Sequence, residues 1–444
     1  MARHMSARAG VSHKICAIWG AAVLSVMGVS GYADADEFTT LKGHGGPVMA
    51  LAVSPEGQVA TGSFDNAVGL WHDRSPRWLE GHDAAVTALA FIDAGRLVTA
   101  GDDFALYLWP QGSAKAELIG RHQGKIRALA VVPNGDTLVS ASWDGEIGLW
   151  PLDDGSERRI TVGSGINDVA VGSDGSIYAA TMSGQILVYE NVDSPPRRLV
   201  DQGFGINQLV LGPDGDWLAY GAVDGATRVV DSQSGDPVAD FTLERRPILA
   251  MAHHAETAQL AVGDGQGYIM MVDTETWRIS SDFRATRAGP VWALDFAPDG
   301  QTIWAAGLDD LAYGWPVALM GEAEAQIAGN RGFLKDPATM PNGERQFMRK
   351  CSICHALDPG DSRKAGPSLH DVFGRPAGTL AGYRYSEVLD GSDIIWGEVT
   401  IDALFDLGPD HYIPGSKMPM QRITDPQDRR DLIAFLKRAT KVEK

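Results

Sequence analysis

Cysteine is nearly absent: the 444 residues contain three, at Cys16, Cys351 and Cys354. Cys16 lies inside the apolar run 15–29, so two cysteines remain beyond it and a disulfide-stapled scaffold is excluded. Long apolar runs are missing as well, because the stretch 15–29 is shorter than the roughly 20 residues that a spanning helix needs. It follows Arg3, Arg8 and Lys14 and precedes Ala33-Asp34-Ala35, which is the form of a secretory leader cleaved after Ala35. A leader over 1–35 predicts an exported, periplasmic chain with no membrane span once it is removed. Positive charge is scarce, with 38 Lys and Arg against 57 Asp and Glu and a formal net of −19. The deficit is local: residues 36–330 hold 18 basic and 40 acidic residues, whereas 331–444 hold 17 and 16. Such a field disfavours nucleic acid and anionic membranes and suits cationic partners.

A chain of this length exceeds one compact core, which favours a repeat array plus a smaller domain. A unit recurs through the first part: a V/I-x-A-L-A segment, a turn such as Ser54-Pro55-Glu56-Gly57, an A-T-G-S-like strand, an Asp-containing turn and a closing residue. The closing positions are Trp71, Trp109, Trp150, Tyr189, Val230, Val272 and Trp315, spaced 38, 41, 39, 41, 42 and 43 apart. Apolar and polar residues alternate at period two within each unit, so the units are strands. Short antiparallel sheets cannot bury their faces alone, and seven of them stacked in a ring make a seven-bladed all-β propeller over 36–317.

These residues resemble the WD-repeat family. The likeness lies in the Gly-His pairs Gly43-His44 and Gly81-His82, in Asp65, Asp103 and Asp144, and in the Leu-Trp endings at Trp71, Trp109 and Trp150. It is clear in units one to three and degenerate in four to six. By resemblance, His44, His82 and His122 hydrogen-bond within their blades, and the segment 37–41 supplies the outer strand of the last blade. His253-His254 sits where other units have turn residues, so an exposed turn is expected there.

The repeat stops after Trp315-Pro316, and 318–340 reads as a linker to a domain over 341–444. There, Cys351-Ser352-Ile353-Cys354-His355 is the C-x-x-C-H pattern of covalent haem attachment. Two thiols at this spacing add to the two vinyl groups, and the adjacent imidazole takes the iron as proximal ligand. The alternatives are a redox dithiol and half of a zinc site, but zinc would need further soft ligands and no other cysteine remains.

The sixth iron ligand is sought in Tyr412-Ile413-Pro414-Gly415-Ser416-Lys417-Met418. This resembles the Y-I-P-G-T-K-M loop of mitochondrial-type class I cytochromes c. The likeness continues through Gly366-Pro367-Ser368-Leu369, Phe373-Gly374-Arg375, Tyr383-Arg384-Tyr385-Ser386 and Ile395-Trp396-Gly397-Glu398. It implies a small all-α domain with one covalently attached haem c and with His355 and Met418 on the iron, Met420 being the chemical alternative. It also implies that the Pro367 carbonyl accepts from His355 Nδ1, and that Arg375, Tyr385 and Trp396 hold the propionates. Phe405 stands where the family usually has a tyrosine, and Asp410-His411 where it usually has two lysines.

With both axial positions taken, no substrate position is left on the iron. The expected function is therefore single-electron transfer, with no catalytic residues and with the propeller as a docking platform for redox partner proteins. The alternative is an enzyme whose propeller binds a substrate or second cofactor and passes electrons to the haem.

Overall fold

The computed structural model describes residues 39–153, 155–242, 247–287, 289–320, 340–352, 354–359, 364–389, 391–418 and 421–441. The leader with its cleavage point, most of the 318–340 linker and the alternative ligand Met420 lie outside them.

Seven four-stranded antiparallel sheets follow one another along the chain. Blades 1 to 6 run Val48–Glu80, Val86–Arg121, Ile126–Thr161, Ile166–Asp201, Ile206–Asp240 and Ile248–Arg284, each a meander of consecutive strands. Blade 7 has three strands between Val291 and Pro316, and its fourth is Thr39–Lys42, paired antiparallel with Leu311–Pro316. An early segment thus completes the last blade, as the repeat implied. The first strand of every blade packs against the first strand of the next, and those of blades 7 and 1 close the ring.

Each first strand opens with a buried β-branched residue, at Val48, Val86, Ile126, Ile166, Ile206, Ile248 and Val291. The register then slips by one residue in all seven blades. The bulged positions, one per blade, are Met49, Thr87, Arg127, Asn167, Asn207, Leu249 and Trp292. Three of them fasten one blade to the next. Thr87 Oγ1 donates to the Ile126 carbonyl (2.6 Å), Asn167 Nδ2 to that of Ile206 (2.9 Å) and Asn207 Nδ2 to that of Ile248 (2.9 Å).

Blades 1 to 3 carry a hydrogen-bonded relay through their cores. Trp71 Nε1–H donates to Thr61 Oγ1 (2.7 Å), which lies 2.8 Å from His44 Nε2, and His44 Nδ1 lies 3.0 Å from Asp65. The chain repeats as Trp109, Thr99, His82 and Asp103, and as Trp150, Ser140, His122 and Asp144. Each histidine thus bridges a turn carboxylate and a strand hydroxyl of its own blade.

His253-His254 departs from its expected place. Both residues end the strand Ile248–His254 and are half-buried. His253 packs edge-on to Trp217 (5.0 Å between ring centres), and His254 Nε2 lies 3.0 Å from the Pro298 carbonyl. Ring contact and cross-blade bonding extend the strand where a Ser-Pro pair would have ended it.

Two first-strand carboxyls fasten later blades to their neighbours. Asp168 accepts from the N–H groups of Leu209 (2.7 Å) and Val169 (2.8 Å), and Asp295 from those of Val53 (2.8 Å) and Phe296 (2.9 Å). Burial raises Asp168 to about 7 and Asp295 to about 6, against the pull of these bonds. Each carboxyl therefore holds its proton more tightly folded than unfolded. Its stabilising share is complete below an unfolded value of roughly 4 and is lost as pH rises through the folded one. The thermal midpoint should fall between pH 5 and pH 8, and Asp168→Asn should flatten that fall. An equally steep decline in the variant would show that this carboxyl does not titrate.

Among the described residues the second region has four helices: α1 (Asn342–Lys350), α2 (Glu398–Leu407), α3 (Pro409–Tyr412) and α4 (Pro426–Ala439). The Asp425 side chain caps α4 by accepting from the Gln427 N–H (2.7 Å). Gly343 lets α1 and α4 meet closely, since a Cβ there would lie 2.0 Å from the Asp431 carbonyl oxygen. Phe347 and Phe435 pack across the same crossing with ring centres 5.6 Å apart. Arg429 ties α4 to α2 by pairing with Asp402 (2.8 Å) and Asp406 (3.0 Å). The propeller and the helices belong to one compact unit, Asp36–Lys444. No helix among the described residues is long and apolar enough to cross a membrane.

Candidate haem site

Helix α1 is capped by Cys351, whose N–H still donates to the Phe347 carbonyl (2.8 Å). A single further turn brings the N–H groups of Cys354 (3.0 Å) and His355 (2.9 Å) onto the Cys351 carbonyl. That turn places two thiols and an imidazole on the wall of one cavity of about 570 Å³. Met418 stands on the same wall although it lies 63 positions beyond His355 in the chain. Its loop turns at Gly415, and its own N–H donates to Ser416 Oγ (3.2 Å). Leu404 and Phe405 from α2, Leu436 from α4 and Leu369 from the loop between α1 and α2 supply apolar lining.

His355 Nδ1 lies 2.7 Å from the Pro367 carbonyl oxygen, which leaves Nε2 as the nitrogen available to a metal. Gly366 makes this approach possible, because a Cβ there would sit 2.4 Å from the His355 ring. Burial pushes the imidazole below its ordinary value, and the Pro367 contact only partly opposes it, so the ring is neutral. Burial raises the Cys351 thiol to about 12 and shifts Cys354 in the same direction. A redox dithiol needs a lowered thiol pKa, so this pair does not suit that chemistry; an uncharged thioether suits an apolar wall.

Pro367, Arg375, Tyr385 and Trp396 all line the cavity. Arg375 is held in place by donating to the backbone carbonyls of Ser368 (2.8 Å) and His370 (3.0 Å). Tyr383 packs edge-on to Tyr385 (4.8 Å) and donates its hydroxyl to the Ala365 carbonyl (2.6 Å). Two further groups were not singled out from the sequence as site residues. Ser386 Oγ and Gln421 Oε1 are buried in this wall without a hydrogen-bond partner among the described residues. Buried polar atoms ordinarily have partners, so an apolar cavity with such atoms on its wall fits a large, mainly apolar ligand with a polar edge. The thiols, the imidazole, the thioether and the cavity together fit haem c.

The family described as cytochrome c matches residues 340–440. A cytochrome c of Sesamum indicum is 47% identical over 105 residues, which are 23% of this chain and 93% of that protein. The chain belongs to the cytochrome c family. A cytochrome c of Gossypium barbadense is likewise 47% identical over 105 residues (23% of this chain, 93% of that protein). One of Chlamydomonas reinhardtii is 41% identical over 109 residues (24% and 96%). The repeat described as WD domain, G-beta repeat matches 36–72, 74–110 and 115–151. Those are the three units that carry the histidine relay. The chain is thus a WD40 propeller followed by a cytochrome c region, and cytochrome c membership implies covalently attached haem c.

Proposed function

We propose that this cytochrome c is an exported, mono-haem carrier of single electrons, with the propeller as a docking platform for protein redox partners. A cytochrome c region implies electron carriage and a WD40 propeller implies protein binding; the finer reading rests on the site. The observation that carries it is the convergence of Cys351, Cys354, His355 and Met418 on one cavity. In this reading Cys351 and Cys354 would hold haem c by two thioethers, and neutral His355 and Met418 would ligate its iron. When bound, the group supplies one-electron exchange. The chain's own share is to fix the His355 ring through Pro367, to exclude water with its apolar wall and to satisfy the polar edge with Ser386, Arg375, Tyr385 and Trp396.

Export is supported by the leader-like residues 1–35 and by the confinement of the remaining cysteines to the C-x-x-C-H pattern. Periplasmic residence is part of the same proposal and rests on the leader-like residues alone. The test is the visible spectrum of the mature protein from a periplasmic extract, oxidised and reduced, with haem counted per chain. One low-spin c-type haem with a sulfur-to-iron band is expected. Additional chromophore bands, high-spin iron or more than one haem would overturn the reading.

A further inference from the structure

The cavity of the cytochrome c region does not open to solvent alone, because part of its wall belongs to the propeller. Pro47, Met49, Phe64, Asp83 and Trp292 line it together with the haem-site residues. Met49 and Trp292 are the bulged residues of neighbouring blades 1 and 7, and Pro47 and Asp83 lie just before the first strands of blades 1 and 2. Phe64 is in the turn after Val59–Ser63. In antiparallel meanders these positions share one end of the sheets, so they form a single face at the channel mouth.

The bulge ring itself is two-sided. Met49, Leu249 and Trp292 are apolar, whereas Thr87, Arg127, Asn167 and Asn207 are polar. The apolar side includes both bulged residues that meet the cavity. At its margin Asp83 pairs with two cations of the cytochrome c region, Arg384 and Lys417, the latter at 2.9 Å. Lys417 adjoins Met418, so this contact sits beside the candidate axial ligand. The overall charges agree with it: the acidic balance of 36–330 faces a region whose net charge is close to zero and whose cavity margin is basic.

We propose that the channel-mouth face of blades 7, 1 and 2 is a docking surface for the chain's own cytochrome c region, and that it occupies the mouth of the haem cavity in competition with external redox proteins. This rests on the carrier reading and refines it, because a partner must first displace the propeller face from the cavity mouth. The contact combines a small apolar patch with half-exposed ion pairs, a combination that salt weakens.

The test uses the haem-loaded, full-length mature chain. A zero-length carbodiimide joins a carboxylate to an amine only where they touch, so digestion at low salt should yield a peptide pair linking Asp83 to Lys417. That pair should vanish in Asp83→Asn and in roughly 0.5 M salt, where the screening length falls to a few ångströms. In a second measurement, the reduced protein is oxidised by a blue-copper protein and by a small cobalt complex. Asp83→Lys should react about tenfold faster with the protein oxidant at low salt and within about twofold of the unmodified chain with the small one. Asp214→Lys, the same charge change in a turn at the opposite end of the sheets, should change neither rate by more than about twofold. A haem-loaded chain that gives no Asp83–Lys417 cross-link, or equal protein-oxidant rates for Asp83→Lys and the unmodified chain, would overturn the proposal. Failure of the carrier reading shows separately, as a haem that the small complex cannot oxidise.

Discussion

Replacing both Cys351 and Cys354 with alanine should abolish covalent haem and unfold the helical region while the propeller remains folded. The cavity of about 570 Å³ is walled by the side chains that hold the helices together, including Leu404, Phe405 and Leu436. Without its ligand this mainly apolar wall is left to water, which removes the burial that holds the helices together. The propeller has its own cores, each shared by two neighbouring blades, and its own ring closure through Thr39–Lys42. Far-UV circular dichroism should therefore lose its helical part and keep its strand part, and intact mass should show an apoprotein. A variant that retained covalent haem, or that kept its helices without it, would show that these thiols do not carry the group and that the void is not needed for folding.

Met418→His should leave covalent attachment intact and lower the reduction potential. A nitrogen donor stabilises the oxidised iron relative to a thioether, and axial ligands set such potentials over a range of about 0.8 V, so a drop on the order of 0.2 V is expected. The sulfur-to-iron band should disappear with it. A redox titration followed in the visible region measures both. An unchanged potential with the band still present would remove Met418 from the iron and point to Met420. Met418 is half-buried on the cavity wall, in a loop that turns at Gly415 and is held by the bond from the Met418 N–H to Ser416.

Much of this molecule was legible from local patterns. Period-two alternation and closing residues near every fortieth position specify seven sheets, because each strand has one face to bury and each turn its own residue preferences. The C-x-x-C-H spacing is equally local, since one helical turn sets where the two thiols and the imidazole point. Both signals persist in single sequences because they describe neighbours along the chain.

Other features have no such local signature. Thr61, Thr99 and Ser140 complete the histidine relay, yet a threonine in a strand reads as an ordinary strand former until the tryptophan and histidine are seen on either side of it. The extension of the strand through His253-His254 depends on Trp217 from the neighbouring blade. The seven bulges came from pairing registers, the buried carboxyls from burial, and the unpartnered atoms of Ser386 and Gln421 from a wall assembled out of distant segments. The sequence by itself determined the repeat, the helical haem-binding region and the thiol and imidazole that define its chemistry. Only the tertiary structure decided what covers the mouth of that cavity, because contacts such as Asp83 with Lys417 join residues 334 positions apart, a distance over which spacing in the chain carries no information about spacing in the fold.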